Sequence, residues 1–506
     1  MRQSKIIYWS SGIVSICGII FEVLFGALGS YILGDGVKQY TLTISLFLTG
    51  MGIGASLSER FMKNLIITFV WIEFGVAIIG GFSSFTMFGI TAFAPAGTDA
   101  FYLYFITLLV GGLTGVELPI LIRKANEIGV TLNKSTARVL FSDYAGGLIG
   151  GLLFVFLFRP YFGMVKTAFL VGCINLIVAL IVLWLFRKEI RRFAVHAVFG
   201  LCIGVLLFLG LFFGEEMAFR FEQKLYKDPI IHMEDSSYQK ITLTQDQADV
   251  RLYLDGALQF SSIDEYRYHE VLVHPTMAYA QNPENVLILG GGDGVAAKEI
   301  LKYEEVKNIT LVDLDPAVVE LANSNRHLLE VNEGALQSEK VHVENRDAFQ
   351  FLEESSEWFD VIIVDLPDPN NESLNKLYTT EFYSLMRNHL APGGAAMIQA
   401  TSPVFATEVY WTISETVAAT GLFIENLHVD VPSFGNWGFV MASREAIDLD
   451  ELEISVPTKF ITTGMVPSLT AFGKDEDQEN LNIELKPNSL IDPHLIQIYE
   501  KAWENY

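Results

Sequence analysis

The sequence predicts an N-terminal α-helical membrane bundle joined to a C-terminal α/β domain with a parallel sheet. Three observations predict it. Of 506 residues 51% are hydrophobic and mean hydropathy is +0.35, yet the formal net charge is −25. Such a combination averages two unlike parts. The charge divides at Phe213: residues 1–213 carry 15 Lys+Arg against 9 Asp+Glu, the remainder 19 against 50. The pattern also changes there, from long apolar runs to short ones ended by glycines and acids.

Runs long enough to cross a bilayer number about seven. They cover 6–33, 40–57, 65–92, 100–122, 140–158, 163–186 and 194–213. The first is no cleaved signal, since further runs follow and no small-residue cleavage site closes it. Small residues recur at Gly50–Gly54, Gly111-Gly112, Gly146-Gly147 and Gly150-Gly151, as helices packed closely in lipid require. Basic residues cluster at Arg2 and Lys5 and in alternate loops: Arg60 and Lys63; Arg123, Lys124, Lys134 and Arg138; Arg187, Lys188, Arg191 and Arg192. That bias puts the N-terminus in the cytoplasm, and seven spans then put the C-terminal half on the opposite face. The chemistry of the C-terminal half argues for the cytoplasm instead.

Four acids lie in or at the ends of these runs: Glu22, Glu73, Glu117 and Asp143. A charge in hydrocarbon is costly, so each is a candidate for a cationic-amine site in the bundle. Pairing with loop arginines or helix capping is the plainer alternative, and Asp143 in Phe141-Ser142-Asp143-Tyr144 suits a helix start. Cys17, Cys173 and Cys202 lie in apolar runs without metal-site spacing.

Residues 214–235 read as an interfacial linker, either an amphipathic helix, since Phe219, Phe221, Leu225 and Tyr226 alternate with charges, or a plain connection. Residues 236–280 read as a small β subdomain. Ile241–Thr244 and Val250–Leu254 are rich in β-formers, and Asp255-Gly256 signals a hairpin turn.

Residues 281–445 follow an α/β order. Asn285–Leu289 is a buried-strand run, Gly290-Gly291-Gly292-Asp293-Gly294 follows, and Val295–Tyr303 suits a helix. Ile309–Val312 is a second strand closed by Asp313-Leu314-Asp315. Glycines after the first strand let the backbone approach a ligand, and an acid ending the second can accept from ribose hydroxyls. This predicts a Rossmann-like, class I methyltransferase-type domain for an adenosine ligand, with Gly290, Gly292, Gly294, Asp313 and Asp315 around it. After strand Val341–Val343, Asp347 can accept from an adenine amino group or cap a helix. The fourth strand, Phe359–Val364, runs into Asp365-Leu366-Pro367-Asp368-Pro369. Ligands in open α/β sheets sit beyond the carboxyl ends of strands, so Asp365 and Asp368 share a crevice with Asp293, Asp313 and Asp347. Residues 446–506 form an acidic, then polar extension, with a helix expected over 492–506 and no catalytic role.

Beyond these patterns the C-terminal half resembles the spermidine-synthase (polyamine aminopropyltransferase) family, and the whole chain resembles its membrane-bound branch. Tyr238-Gln239, Leu254–Gln259, Asp264–Glu270 with Val273-His274-Pro275, Gly290–Gly294, Asp313–Asp315, Asp347 and Asp365–Pro369 stand in the family's order. The resemblance implies decarboxylated S-adenosylmethionine as co-substrate, methylthioadenosine as product and no tightly bound cofactor. It implies Asp313 on the ribose, Asp347 on the adenine, and Gln239, Gln259 and Asp293 near the aminopropyl group. Tyr268 and Asp365 would flank the reacting centre, and Asp368 would anchor the acceptor amine. His269 stands where relatives often carry Gln, and Phe434 where they offer a Tyr. Gln399–Pro403 lacks an acid that some relatives place there.

The chemistry asks for these residue types. An acceptor amine is an ammonium at neutral pH and needs a base, for which Asp365 is the choice. Two cationic substrates suit an acidic pocket. The expected partners are thus an amine, a sulfonium nucleotide and the lipid membrane, with no nucleic-acid patch and no metal cluster. A homodimer is compatible with the family. The alternatives are another S-adenosylmethionine-type transferase, or a polyamine transporter or sensor with a nucleotide-binding domain.

Overall fold

A computed structural model describes residues 2–34, 36–95, 97–128, 131–478 and 485–503. The chain forms two compact units, Met1–Lys227 and Asp228–Tyr506.

The first unit is helical: α1 (Arg2–Leu33), α2 (Gly36–Leu57), α3 (Leu65–Phe93), α4 (Thr98–Glu127), α5 (Leu132–Leu153), α6 (Arg159–Leu185) and α7 (Phe193–Glu222). Among the described residues six stretches are long and apolar enough to cross a membrane, and one of them, 133–185, spans 53 residues. That is more than twice what a crossing needs. It contains a π-helical turn at Phe154–Phe158, and Gly163 then breaks it with φ 62°. The small residues act in packing. A Cβ at Gly54 would collide with the Gly112 carbonyl, so α2 and α4 meet backbone to backbone, and Gly146 meets Gly12 in the same way between α5 and α1.

Two expectations change here. The helix expected over 214–235 exists only as far as Glu222 and is no separate element. Residues 214–222 are the last turns of α7, where Gly214 receives the Phe169 ring, Glu215 pairs with Lys166, and Glu216 pairs with Arg220 one turn on. Residues 230–235 already belong to a strand. Asp143 starts no helix, since α5 begins eleven residues earlier.

The second unit opens with an antiparallel four-stranded meander: β1 (Ile230–Asp235), β2 (Lys240–Asp246), β3 (Asp249–Leu254) and β4 (Ala257–Ser261). Asp255 and Gly256 form the β3–β4 turn with φ of 48° and 83°, the mirror-image turn that hairpin twist favours. Helix α8 (Glu265–Tyr279) leads to the main fold: β5 (Asn285–Gly290), α9 (Val295–Ile300), β6 (Asn308–Asp313), α10 (Pro316–Ser324), α11 (Arg326–Asn332), β7 (Val341–Asn345), α12 (Ala348–Glu354) and β8 (Phe359–Asp365). Then come α13 (Glu372–Asn375), α14 (Thr380–His389), β9 (Leu390–Gln399), α15 (Thr407–Ala418), β10 (Phe423–Val431), β11 (Gly435–Ser443) and α16 (Leu495–Trp503). α9 is shorter than its expected Val295–Tyr303 and ends in turns.

The seven strands lie in the order β10-β11-β9-β8-β5-β6-β7. β5 to β9 are parallel, and β11 enters antiparallel beside β9. The centres of β5 (Val286–Leu289) and β8 (Val361–Val364) are continuous Val, Ile and Leu, and Ala395–Ile398 of β9 is apolar too, as in a sheet covered on both faces. Strand order reverses between β5 and β8. A crevice opens beyond their carboxyl ends at such a switch point, where the glycine loop and Asp365 stand.

Candidate active site

The glycine loop and the end of β8 are built on each other. The Gly291 amide donates to the Asp365 carbonyl at 3.1 Å. Gly290 and Gly291 have φ of 86° and 64°. A Cβ on Gly290 would strike that carbonyl, and one on Gly291 would press on the Ile288 side chain at 3.2 Å and touch the Asp365 carboxylate. Only glycine supplies both the positive φ and the clearance.

Asp293, Asp313, Asp365 and Asp368 each keep partial exposure while the strands behind them are buried. They therefore line the crevice. Tyr268, on α8, donates its hydroxyl to Asp365 Oδ1 at 2.7 Å. Burial, then the charge of Asp365, pushes the Tyr268 phenol up, so it stays a donor. Burial raises Asp365 to about 6; His269 and the Tyr268 bond pull it down and Asp293 adds to the rise. Burial also raises Asp293, against His269 and the Val295 amide.

His269 is buried and its Nδ1 lies 3.1 Å from Glu265 Oε2 and 2.9 Å from the Glu265 carbonyl. Burial opposes its charge, but the Glu265 bond and the charges of Glu265, Asp293 and Asp365 prevail and push it up to about 9. Lys298 Nζ reaches Glu265 at 2.8 Å, and Glu265 is held below the usual carboxylate range. Behind the two crevice acids stands a histidine whose carboxylate neighbours favour its charged form. One buried carboxylate cluster thus carries its own counter-charges.

Asp313 accepts from the Gly292 amide at 2.9 Å and the Asp315 amide at 2.9 Å. Burial raises it to about 6 against those two bonds. Asp315, expected to hold the nucleotide, acts otherwise. Its oxygens cap α10 through the Ala317 amide and accept from Ser236 Oγ at 2.6 Å and Gln239 Nε2 at 3.0 Å. It ties the meander to the end of β6, and Gln239 is its partner. Asp347 caps α12 through the Phe349 and Gln350 amides and pairs with Lys376 at 2.5 Å. Gln259 donates to the Ala257 carbonyl within its own strand, β4. Gly294 serves a third role: at φ 82° it starts α9 against Leu336.

Asp368 sits in a neutral cage missed by motif reading. Gln399 Nε2 (3.3 Å), Thr401 Oγ1 (2.9 Å) and the Tyr499 hydroxyl (3.0 Å) donate to it. Gln399 also contacts the Tyr378 hydroxyl at 2.6 Å and accepts from Trp437 Nε1 at 3.1 Å. Phe434 lies edge-on to Tyr268 and Trp437, with ring centroids 5.9 and 5.1 Å away. No sequence signal near 399–401 announces a carboxylate cage. Tyr499 lies in the extension read as idle.

A second buried cluster, Glu270, His274 and Glu299, has donor atoms within 4.8 Å of one another. Each is already engaged. Glu270 accepts from the amides of Lys459, Phe460 and Ile461, and His274 bridges Tyr303 and Glu299. In the bundle, Glu73 and Glu117 lie against each other and Asp143 stands near Glu117; Glu22 is buried on α1.

Fold and site define an α/β domain that presents a glycine loop, a strand-end acid and an acidic, counter-charged crevice to a nucleotide and a cation. The Spermine/spermidine synthase domain family matches residues 265–451. A polyamine aminopropyltransferase of Oceanobacillus iheyensis is 83% identical over 100% of this chain and 99% of its own. One of Leptospira interrogans is 38% identical over 98% of each chain. A solved spermidine synthase in complex with the transition-state analogue AdoDATO is 24% identical, covering 49% of this chain and 88% of its own with a TM-score of 0.46. The chain belongs to the polyamine aminopropyltransferase family.

Proposed function

We propose that the chain moves the aminopropyl group of decarboxylated S-adenosylmethionine to an amine and releases methylthioadenosine, with Asp365 as the base. The observation that carries the residue assignment is the Tyr268–Asp365 pair at the end of β8, across the switch point from the glycine loop. Asp313 takes the ribose hydroxyls and Asp347 the adenine edge. Asp293 takes the ammonium of the aminopropyl group. The acceptor enters as an ammonium. Asp365 removes one proton, and the freed nitrogen lone pair attacks the carbon beside the sulfonium. The C–S bond breaks as the C–N bond forms, and the electron pair stays on sulfur. Tyr268 fixes one carboxylate oxygen by its hydrogen bond and leaves the other for the amine. Buried acids hold both cations in line for attack. The reading also puts helices α1–α7 in a membrane, for which their length and apolarity speak. It puts the catalytic unit on the cytoplasmic side, with its nucleotide and against the Lys/Arg bias.

Mass-spectrometric analysis of products from the whole protein, decarboxylated S-adenosylmethionine and a panel of amines tests the reaction. Methylthioadenosine and an aminopropylated amine in equal amounts are expected. Methylthioadenosine without an amine product would sink the transfer. Protease access to the C-terminal unit in sealed vesicles of each orientation tests the side. Cleavage in right-side-out vesicles contradicts the cytoplasmic placement.

A further inference from the structure

We infer that the C-terminal helix α16 forms part of the acceptor-amine subsite, with Tyr499 as a positioning residue that sets the geometry of Asp368. This rests on the reading of Asp368 as the anchor for the acceptor's far ammonium.

The segment carrying Tyr499 is built into the domain. Asn488 is fully buried; its side chain donates to the Tyr378 carbonyl at 2.8 Å and Asn375 Oδ1 at 3.0 Å, and its amide donates to Thr416 Oγ1 at 2.9 Å. The Asn488 carbonyl accepts from the Thr380 amide. Leu495 opens α16 fully buried in the core beside β8 and β9. Four residues later, on the same helix face, Tyr499 reaches Asp368 Oδ2 at 3.0 Å. One turn beyond, Trp503 stacks near Phe405 and Tyr499. Tyr378, which Asn488 grips, donates to the carbonyls of Leu366 and Pro367 and meets Gln399. The extension thus braces the loop between Asp365 and Asp368 at two points.

Among the described residues no cation is bonded to Asp368. Its three donors are neutral; burial raises its carboxyl against those three bonds, so a cationic ligand would supply the counter-charge the cage does not. A ligand that completes it is a second ammonium on the acceptor, one alkyl chain away from the amine at Asp365. An α,ω-diamine has that chemistry and a monoamine does not. Tyr499 also supplies a phenol hydroxyl from α16, at a site whose β10–β11 loop presents Phe434.

Steady-state kinetics of the full chain test this with 1,4-diaminobutane and butylamine as acceptors, in the parent, Tyr499→Phe, Asp368→Asn and the double variant. Loss of one hydrogen bond to the carboxylate is expected to raise KM for the diamine about 10-fold or more. The kcat and the KM for the sulfonium nucleotide should stay within about 2-fold of the parent, and KM for butylamine should not move. In the Asp368→Asn background the Tyr499→Phe effect should vanish. An unchanged diamine KM in Tyr499→Phe, beside a raised one in Asp368→Asn, overturns the role of Tyr499 alone. An unchanged diamine KM in Asp368→Asn overturns the acceptor reading of Asp368 and this inference with it. A parallel change in kcat and both KM values marks a merely structural contact and also overturns it.

Discussion

At the crevice, charge is set by neighbours within a few ångströms. Asp365 ionises near 6 because burial outweighs His269 and Tyr268. A base works only deprotonated, so kcat/KM for the amine should fall as pH drops through about 6. Asp293, Asp365 and His269 interact, so that limb belongs to the set. A profile flat down to pH 5 would contradict the assignment. The same shift bears on stability. A carboxyl whose folded value lies above its unfolded value of about 4 favours folding when protonated. Its ionised form costs stability, and the cost grows as pH rises from about 4 through 6. His269 has the opposite charge type and is raised to about 9. Its contribution is complete below its unfolded value near 6.5 and is lost as pH rises through about 9. The ligand-free protein should therefore melt several degrees lower at pH 9.5 than at pH 6, and His269→Gln should flatten that slope. Equal slopes in thermal scans would count against an imidazolium at this position.

At the scale of elements, two contacts decide whether the crevice forms. Gly291→Ala adds a methyl at φ 64° beside the Asp365 carboxylate. A loss in kcat of about 10-fold or more is expected, with the fold retained by circular dichroism; parent-like kcat would show the loop has slack. In the bundle, Gly54→Leu meets the Gly112 backbone, so helix packing between α2 and α4 should fail, seen as a lower melting point in detergent. Much of this was legible. The strand runs, the glycine loop, the Asp255-Gly256 turn and the acids at strand ends are local patterns, and each lies where its pattern put it. What escaped was non-local. Asp315 reads as a nucleotide acid until Ser236 and Gln239 arrive from the meander, nearly eighty residues earlier. Tyr499 lies 131 residues from Asp368 in sequence, and no spacing rule joins them. The end of α7 read as amphipathic because its charges pair along the helix with Arg220 and back to Lys166.

At the scale of the molecule, the residues of the proposed reaction and the acids of the helical bundle occupy separate units. Every residue of the proposed reaction lies in Asp228–Tyr506, so the acids of the helical unit stand outside it. Glu73→Gln with Glu117→Gln should leave kcat for aminopropyl transfer within about 2-fold of the parent. A larger loss would tie the bundle to the chemistry. The central claim is that Asp365 moves a proton in a transfer reaction. Asp365→Asn keeps the shape of the site and removes the base. Binding of methylthioadenosine and single-turnover transfer to 1,4-diaminobutane, measured side by side in parent and variant, test it most directly. The account predicts nucleotide affinity within a few-fold of the parent and transfer slower by about 100-fold or more. Transfer at the parent rate in Asp365→Asn would contradict it.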